Sequence, residues 1–320
     1  MRPIRRILVA VKDPSAPRLP AVAKATQLAR CLDAELELFH VLDSQVYLDL
    51  LGTPGSPVAG CEDERRQTLQ RLKDVADRMR LQGVSFSVSC EWDQRTHKAI
   101  VRRSIVSGAD LIVAEAHAGR HIAPGIRKLT DWELLRLSSL PVLLVKDPRP
   151  YHRPTILAAV DPMRAYAKPA GLDEEILGVA TTVSNAVGGI LHAVHACEPV
   201  PASLATLHAA VISRVHRGEQ ERARLGLERL LKLSTIPAGR RHVMDGEPSE
   251  VLQQAAHRLA SDIVVLGAMS RSGLERLLVG NTAERLLDRL ACDLLIVKPP
   301  GFACGSAPSS PSTSAIGAVS

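Results

Sequence analysis

Residues 261–299 read SDIVVLGAMSRSGLERLLVGNTAERLLDRLACDLLIVKP, and residues 109–147 read ADLIVAEAHAGRHIAPGIRKLTDWELLRLSSLPVLLVKD. The two stretches superpose without a gap at a constant offset of 152 residues. Identical pairs include Asp110/Asp262, Val113/Val265, Thr130/Thr282, Leu134/Leu286, Leu135/Leu287, Val145/Val297 and Lys146/Lys298. Scattered identities alone would say little. An unbroken register with one strand–loop–helix–strand pattern in both copies makes duplication the better explanation.

Working outward, each half opens alike. Arg6-Ile7-Leu8-Val9-Ala10-Val11 runs into Asp13-Pro14, and Thr155-Ile156-Leu157-Ala158-Ala159-Val160 runs into Asp161-Pro162. Continuous apolar runs closed by a turn pair are the pattern of strands buried on both faces. Between these landmarks, Ala21, Val22, Ala25, Leu28, Ala29 and Leu32 recur at helical spacing, and Glu35–Val41 reads as a strand. Leu69, Leu72, Ala76 and Met79 mark a second helix, Val84–Cys90 a strand, and 98–105 a third helix. Val251, Leu252, Ala255, Ala256 and Leu259 give a helix face before the strand Ile263–Leu266. Such alternation predicts βαβ crossovers and a parallel sheet. The fold class expected is α/β: two tandem Rossmann-like domains, residues 1–150 and 151–300. The boundary falls in the proline-rich stretch Pro148–Pro154, and residues 301–320, rich in Ser, Ala, Gly and Pro, read as a disordered tail.

Bulk composition narrows the function classes. A length of 320 residues suits two ordinary domains. Aromatic residues are only 2% of the chain, which favours cores of Leu, Val, Ile and Ala and leaves few rings to stack on bases. The net charge of +6 comes from basic and acidic residues spread along the chain, so no direct DNA binding is expected. Six cysteines show no CxxC pair, and the opening residues lack an export core. No apolar run approaches the ~18 residues of a membrane helix. A cytoplasmic protein without membrane partners is expected.

The chemistry concentrates in the second half. The strand ending at Leu266 meets Gly267, and Gly280-Asn281-Thr282 immediately precedes a helix over Ala283–Leu290. Glycine permits a tight turn and close approach to a ligand. Asn281 and Thr282 are suited to cap the helix, whose free N–H groups and dipole attract an anion. The same residues also serve as plain turn and cap residues, so short glycine motifs do not decide the matter alone.

The segment resembles the signature of the universal stress protein family, Gly-x2-Gly-x9-Gly-(Ser/Thr). Gly267 and Gly280 stand at its first and third glycines, Ser270 replaces the second, and Asn281-Thr282 stand where the hydroxyl residue begins. The resemblance implies that these turns hold the phosphates and ribose of ATP, with or without magnesium. It also implies that Asp161 lies near the adenosine and that Val194, ending the next strand, contacts adenine. The chain as a whole, from residue 4 to 299, is similar to the tandem, E-type members of that family. In single-domain relatives the last strands pair across a dimer axis. The resemblance therefore implies that Pro141–Val145 and Asp293–Val297 pair within one chain, relating two open five-stranded parallel sheets by a pseudo-two-fold axis. A further homodimer is left open.

Opposite Gly267, Ser270 and Gly280 stand Glu115, Ala118 and Lys128, so the first site reads as a degenerate copy. Glu115 would place a negative charge beside phosphates. Among other signals, His192 and His195 lie three apart on a strand and should face opposite ways. His117 and His121 flank the degenerate loop, where zinc is the alternative to ordinary surface histidines. Arg271 and Arg276 are candidate polyphosphate partners. Ser270-Arg271-Ser272-Gly273 lacks the Gly-x-Ser-x-Gly frame of a hydrolase, and neither a Walker loop nor GxGxxG follows the first strand. The function expected is stress-response regulation through an adenine nucleotide in the second domain, without catalysis. The alternative is a scaffold or small-ligand carrier, and the third reading a weak ATPase.

Overall fold

The computed structural model describes residues 3–43, 57–79, 83–116, 126–163, 171–197, 209–268 and 281–301. In the helices that open at 57, 126, 209 and 281, side chains are described from 60, 131, 213 and 285 onward. The expected tail, from 302 on, lies outside the described residues, as do His117, Ala118, His121, Ser270, Arg271, Arg276 and Gly280.

The first half runs β1 (Arg6–Ala10), α1 (Pro20–Leu32), β2 (Glu35–Leu42), α2 (Pro57–Arg78), β3 (Phe86–Trp92), α3 (Thr96–Val106), β4 (Leu111–Glu115), α4 (Ile126–Leu137) and β5 (Val142–Val145). The second runs β6 (Thr155–Ala159), α5 (Leu172–Ala186), β7 (Ile190–Cys197), α6 (Ala209–Leu230), β8 (Arg241–Asp245), α7 (Pro248–Arg258), β9 (Ile263–Gly267), α8 (Asn281–Arg289) and β10 (Asp293–Val297). All ten strands belong to one sheet, ordered β3-β2-β1-β4-β5-β10-β9-β6-β7-β8. Within each half every pairing is parallel.

The centre of the sheet is an antiparallel seam in which Leu143 faces Leu295, Leu144 faces Leu294 and Val142 faces Ile296. Leu143 and Leu295 are the same position of the repeat, so the pseudo-two-fold axis passes between them. These strands are almost wholly excluded from water, which is why they read as unbroken apolar runs rather than as alternation. Helices α1, α2, α5 and α6 cover one face of the sheet, and α3, α4, α7 and α8 cover the other. Each cover layer therefore draws two helices from each half.

Local chemistry sets the element ends. Pro20 opens α1 at a position that needs no N–H, and Asp33 closes it in the left-handed region at φ 52°. Glu247 caps α7, accepting from the amides of Ser249 and Glu250. The identity of Asp110 and Asp262 has a plain cause. Asp110 accepts from the amides of Arg5 and Arg6, and Asp262 accepts from that of Thr155. Each carboxylate thus ties the start of its half's first strand to the turn before the fourth. Element boundaries differ from expectation at several places, two of them clearly. The third strand begins at Phe86, where pairing with Leu36 starts, and Gly83 at φ 82° leads into it. The last helix begins at Asn281, which puts Asn281 and Thr282 inside its first turn rather than before it.

Candidate functional site

Strands β6 and β9 are neighbours, yet α5 packs on one face of the sheet and α8 on the other. Chain connections that part in this way open a crevice at the carboxyl ends of the two strands. Asp161 stands there, two residues beyond β6. Its backbone amide donates to Asp173 Oδ1 at 3.0 Å, fastening the turn to the first turn of α5. Both of its carboxylate oxygens are buried and have no hydrogen-bond donor among the described residues.

Beside Asp161 lies His195, which is 5% exposed. Its Nδ1 sits 3.2 Å from the carbonyl of Val160 and 3.8 Å from Asp161 Oδ1. The Val160 oxygen only accepts, so Nδ1 carries the hydrogen. The first half repeats this arrangement, with His40 Nδ1 2.8 Å from the carbonyl of Val11. Burial is the main influence on His40 and lowers its pKa from the usual histidine value. From sequence, His195 is weighed only as a metal ligand with His192, not as a neighbour of Asp161. The signal was available, because Leu36-Glu37-Leu38-Phe39-His40 aligns with Leu191-His192-Ala193-Val194-His195.

Val194 corrects an expectation. Strand β7 continues to Cys197, so Val194 does not end it, and its side chain is 1% exposed within the core of the α7–α8 face. Its carbonyl accepts from the Val160 amide at 3.0 Å. His192 and His195 do part as expected: His192 Nδ1 meets His242 Nε2 at 3.0 Å instead.

Gly267 is needed for close approach, but the approaching group is a helix. A Cβ there would lie 2.7 Å from Leu172 Cδ2 and 3.1 Å from Ile176 Cδ1, both on α5. Its backbone is not in the left-handed region, so packing rather than turn geometry excludes a side chain. Asn281 and Thr282 open α8, and their amides belong to its amino-terminal turn.

The first half differs at the matching place. Glu115, the counterpart of Gly267, ends β4 and accepts from the Ala21 amide at 3.4 Å. A carboxylate of the chain itself therefore stands at the amino end of α1, where a second anion would be repelled. Lys12 follows Val11 where Asp161 follows Val160, and Asp13, one residue further on, is exposed and accepts from the Ser15 amide at 2.8 Å.

A cavity of about 520 Å³ lies between the turn after β6, the first turn of α5 and the carboxyl half of α6. Its apolar lining comes from Pro162, Met163, Leu172, Leu225 and Leu230, and Arg222 and Arg229 project from α6. Gly226 lets α6 approach the turn closely, because a Cβ there would lie 3.1 Å from Met163 Sδ. Among the described residues no cluster of three or more potential metal ligands occurs, and no helix is long and apolar enough to cross a membrane.

A duplicated five-stranded α/β unit joined edge to edge, with an acidic turn after its first strand, defines a class of protein. The sequence profile of the universal stress protein family matches residues 3–146 and again 155–298, so the chain belongs to that family. More particularly, it is a tandem protein similar to universal stress protein E. It is 27% identical to that of Photorhabdus laumondii over 306 residues, covering 93% of this chain and 96% of the relative. It is 28% identical to that of Escherichia coli K12 over 301 residues, covering 92% and 94%. Among solved structures, a functionally unknown protein from Pseudomonas aeruginosa PAO1 superposes with a TM-score of 0.71 at 25% identity, covering 92% of this chain and 93% of that one. A universal stress protein from Archaeoglobus fulgidus has a TM-score of 0.59 at 14% identity, covering 91% and 98%, and shares the fold.

Proposed function

We propose that the second domain binds ATP or a related adenine nucleotide at the carboxyl edge of β6 and β9, and that the protein acts in the cytoplasm as a non-enzymatic regulator of survival under stress such as DNA damage. The observation that carries this reading is the buried Asp161 carboxylate with no donor among the described residues. A buried carboxylate left without hydrogen bonds is costly, so an unmet acceptor in a crevice argues for a ligand that supplies donors. Ribose hydroxyls or an exocyclic amine fit that requirement. Asn281 and Thr282 at the start of α8 would give the phosphates a helix amino terminus on the opposite wall. Gly280 supplies the third glycine of the family signature, and Ser270 departs from its second.

One observation favours the second reading, a small-ligand carrier without nucleotide. The cavity of about 520 Å³ beside α5 and α6 has the size of a ligand site, with apolar walls rimmed by Asp173, Glu174, Arg222 and Arg229. Calorimetry of the purified protein with ATP and magnesium separates the two. Saturable heat that disappears in Asp161→Ala and in Gly280→Val is expected. No heat at millimolar ATP would leave the carrier reading. Phosphate release above a heat-killed control would instead make the protein an ATPase.

A further inference from the structure

Each half of the molecule holds the last turn of a helix in the other half. Lys146, the residue after β5, donates from Nζ to the carbonyl of Leu287 and, at 2.6 Å, to that of Leu290, at the carboxyl end of α8. Lys298, the residue after β10, donates from Nζ to the carbonyl of Leu135 in the last turn of α4. Lys146 matches Lys298 in the repeat, and Leu135 matches Leu287. The two contacts are therefore one interaction used twice across the seam. Carbonyls in a helix's last turn have no intrahelical donor, and the helix dipole gathers negative charge there, so an ammonium is a fitting partner.

The symmetry is broken at one point. Asp293 is fully buried at the start of β10, and its counterpart in the repeat is Pro141. Asp293 Oδ1 accepts from the amides of Lys146 at 2.8 Å and Asp147 at 3.0 Å. Asp293 Oδ2 accepts from Lys24 Nζ and from the Tyr151 hydroxyl, each at 2.5 Å. Lys24 lies on α1, and its ammonium also sits 4.4 Å from the centre of the Tyr151 ring. The backbone that carries Lys146 is thus pinned by a buried network that Lys298 lacks.

We infer that Lys146 is a positioning residue for the nucleotide site of the other domain, holding from across the seam the far end of the helix whose first turn faces the phosphates. The inference rests on the nucleotide reading above. Helix α8 has nine residues, about two and a half turns, too short to bend and absorb a shift at one end. A site placed at its amino end keeps its geometry only if the carboxyl end is fixed. Lys298 provides the internal control, since it holds α4, in the half where Glu115 takes the place of Gly267.

The experiment compares Lys146→Met with Lys298→Met in the full chain, read by calorimetry with ATP and magnesium and by hydrogen exchange. Both variants are expected to lose thermal stability to a similar degree. Lys146→Met should speed exchange in 285–289 and weaken ATP binding about tenfold. Lys298→Met should speed exchange in 131–137 and leave ATP binding within about twofold. Lys146→Arg, which keeps the cation, should recover most of the affinity. If Lys146→Met does not fold, Lys146→Gln keeps a donor without the charge and carries the same comparison. Equal loss of affinity in the two lysine variants, or none in Lys146→Met, overturns the positioning role alone. An unsubstituted protein that gives no heat with ATP overturns the nucleotide reading and this inference together.

Discussion

The two halves share a sheet order, a seam and a histidine bonded to the end of the first strand, yet they differ at the places where chemistry would occur. Glu115 stands where Gly267 stands, the exposed Lys12 follows Val11 where Asp161, its carboxylate oxygens buried, follows Val160, and Pro141 occupies the position of Asp293. A further contrast lies inside the sheet. Glu37, which matches His192, accepts from Ser89 at 2.5 Å and from Arg103 at 2.6 Å. His192 instead shares a hydrogen bond with His242, whose strand position matches Ser89. The rings are 11° from parallel with centroids 5.3 Å apart, so the two nitrogens point at each other along the line of centres. That geometry suits one shared hydrogen and leaves no common point for a metal. The same backbone position thus holds an ion pair in one half and a neutral imidazole pair in the other. Duplication has preserved the framework and released the buried polar positions.

The largest expected effect tests the Asp293/Pro141 difference. Asp293→Ala leaves Lys24 buried without its anion and should cost about 3–5 kcal/mol in urea unfolding, whereas Pro141→Ala should cost about 1 kcal/mol or less. Comparable losses at the two positions would show that the buried network adds nothing to the second half. Next comes the axis itself. Leu143→Ala and Leu295→Ala remove the same side chain from equivalent places, and each should cost about 2–5 kcal/mol, by a similar amount. A loss confined to one of them would mean that the seam is not energetically symmetric.

Gly267→Ala pushes a methyl group against Leu172, at a cost of about 1–3 kcal/mol. At the matching site, Glu115→Ala should change stability by at most about 1 kcal/mol, because it removes an anion from a helix end rather than adding a clash. Thermal melts of both variants decide this pair.

The smallest effect concerns acid. Burial, the mutual repulsion of the two rings and the nearby Arg240 lower His192, and burial with Arg258 lowers His242, both from 6.5. A base whose folded pKa is depressed stabilises the fold fully above its unfolded value and loses that contribution as pH falls through the folded one. Stability should therefore decline below about pH 6.5, and His192→Phe combined with His242→Phe should flatten the decline. The residual slope belongs to His40 and His97, which burial also lowers. An unchanged slope in the double variant would remove the imidazole pair from the account.

Much of the architecture was legible because it is written in apolar periodicity. Ile7-Leu8-Val9 and Ile263-Val264-Val265 declare buried strands, and the gapless match of 109–147 with 261–299 declares the repeat. The placement of Asp161 after β6 was readable in the same way, whereas the helix expected to open at Ala283 opens two residues earlier, at Asn281. The role of Gly267 was not, since a glycine required by a helix and one required by a ligand look alike until the neighbour is known. Val194 was misplaced because strand ends carry no strong local signal. The links through Lys146, Lys298, Lys24 and Asp293 join residues as much as 269 positions apart, and nothing local in sequence announces them.

The seam between β5 and β10 has a consequence for how this molecule can change over generations. When two identical chains meet at such an edge, every substitution appears on both sides of the axis, so a lone aspartate there would bring its duplicate and two like charges would be buried together. Covalent tandem arrangement removes that restriction. A carboxylate can stand on one strand while its equivalent on the other is an imino acid, and each edge can be altered without its mirror image.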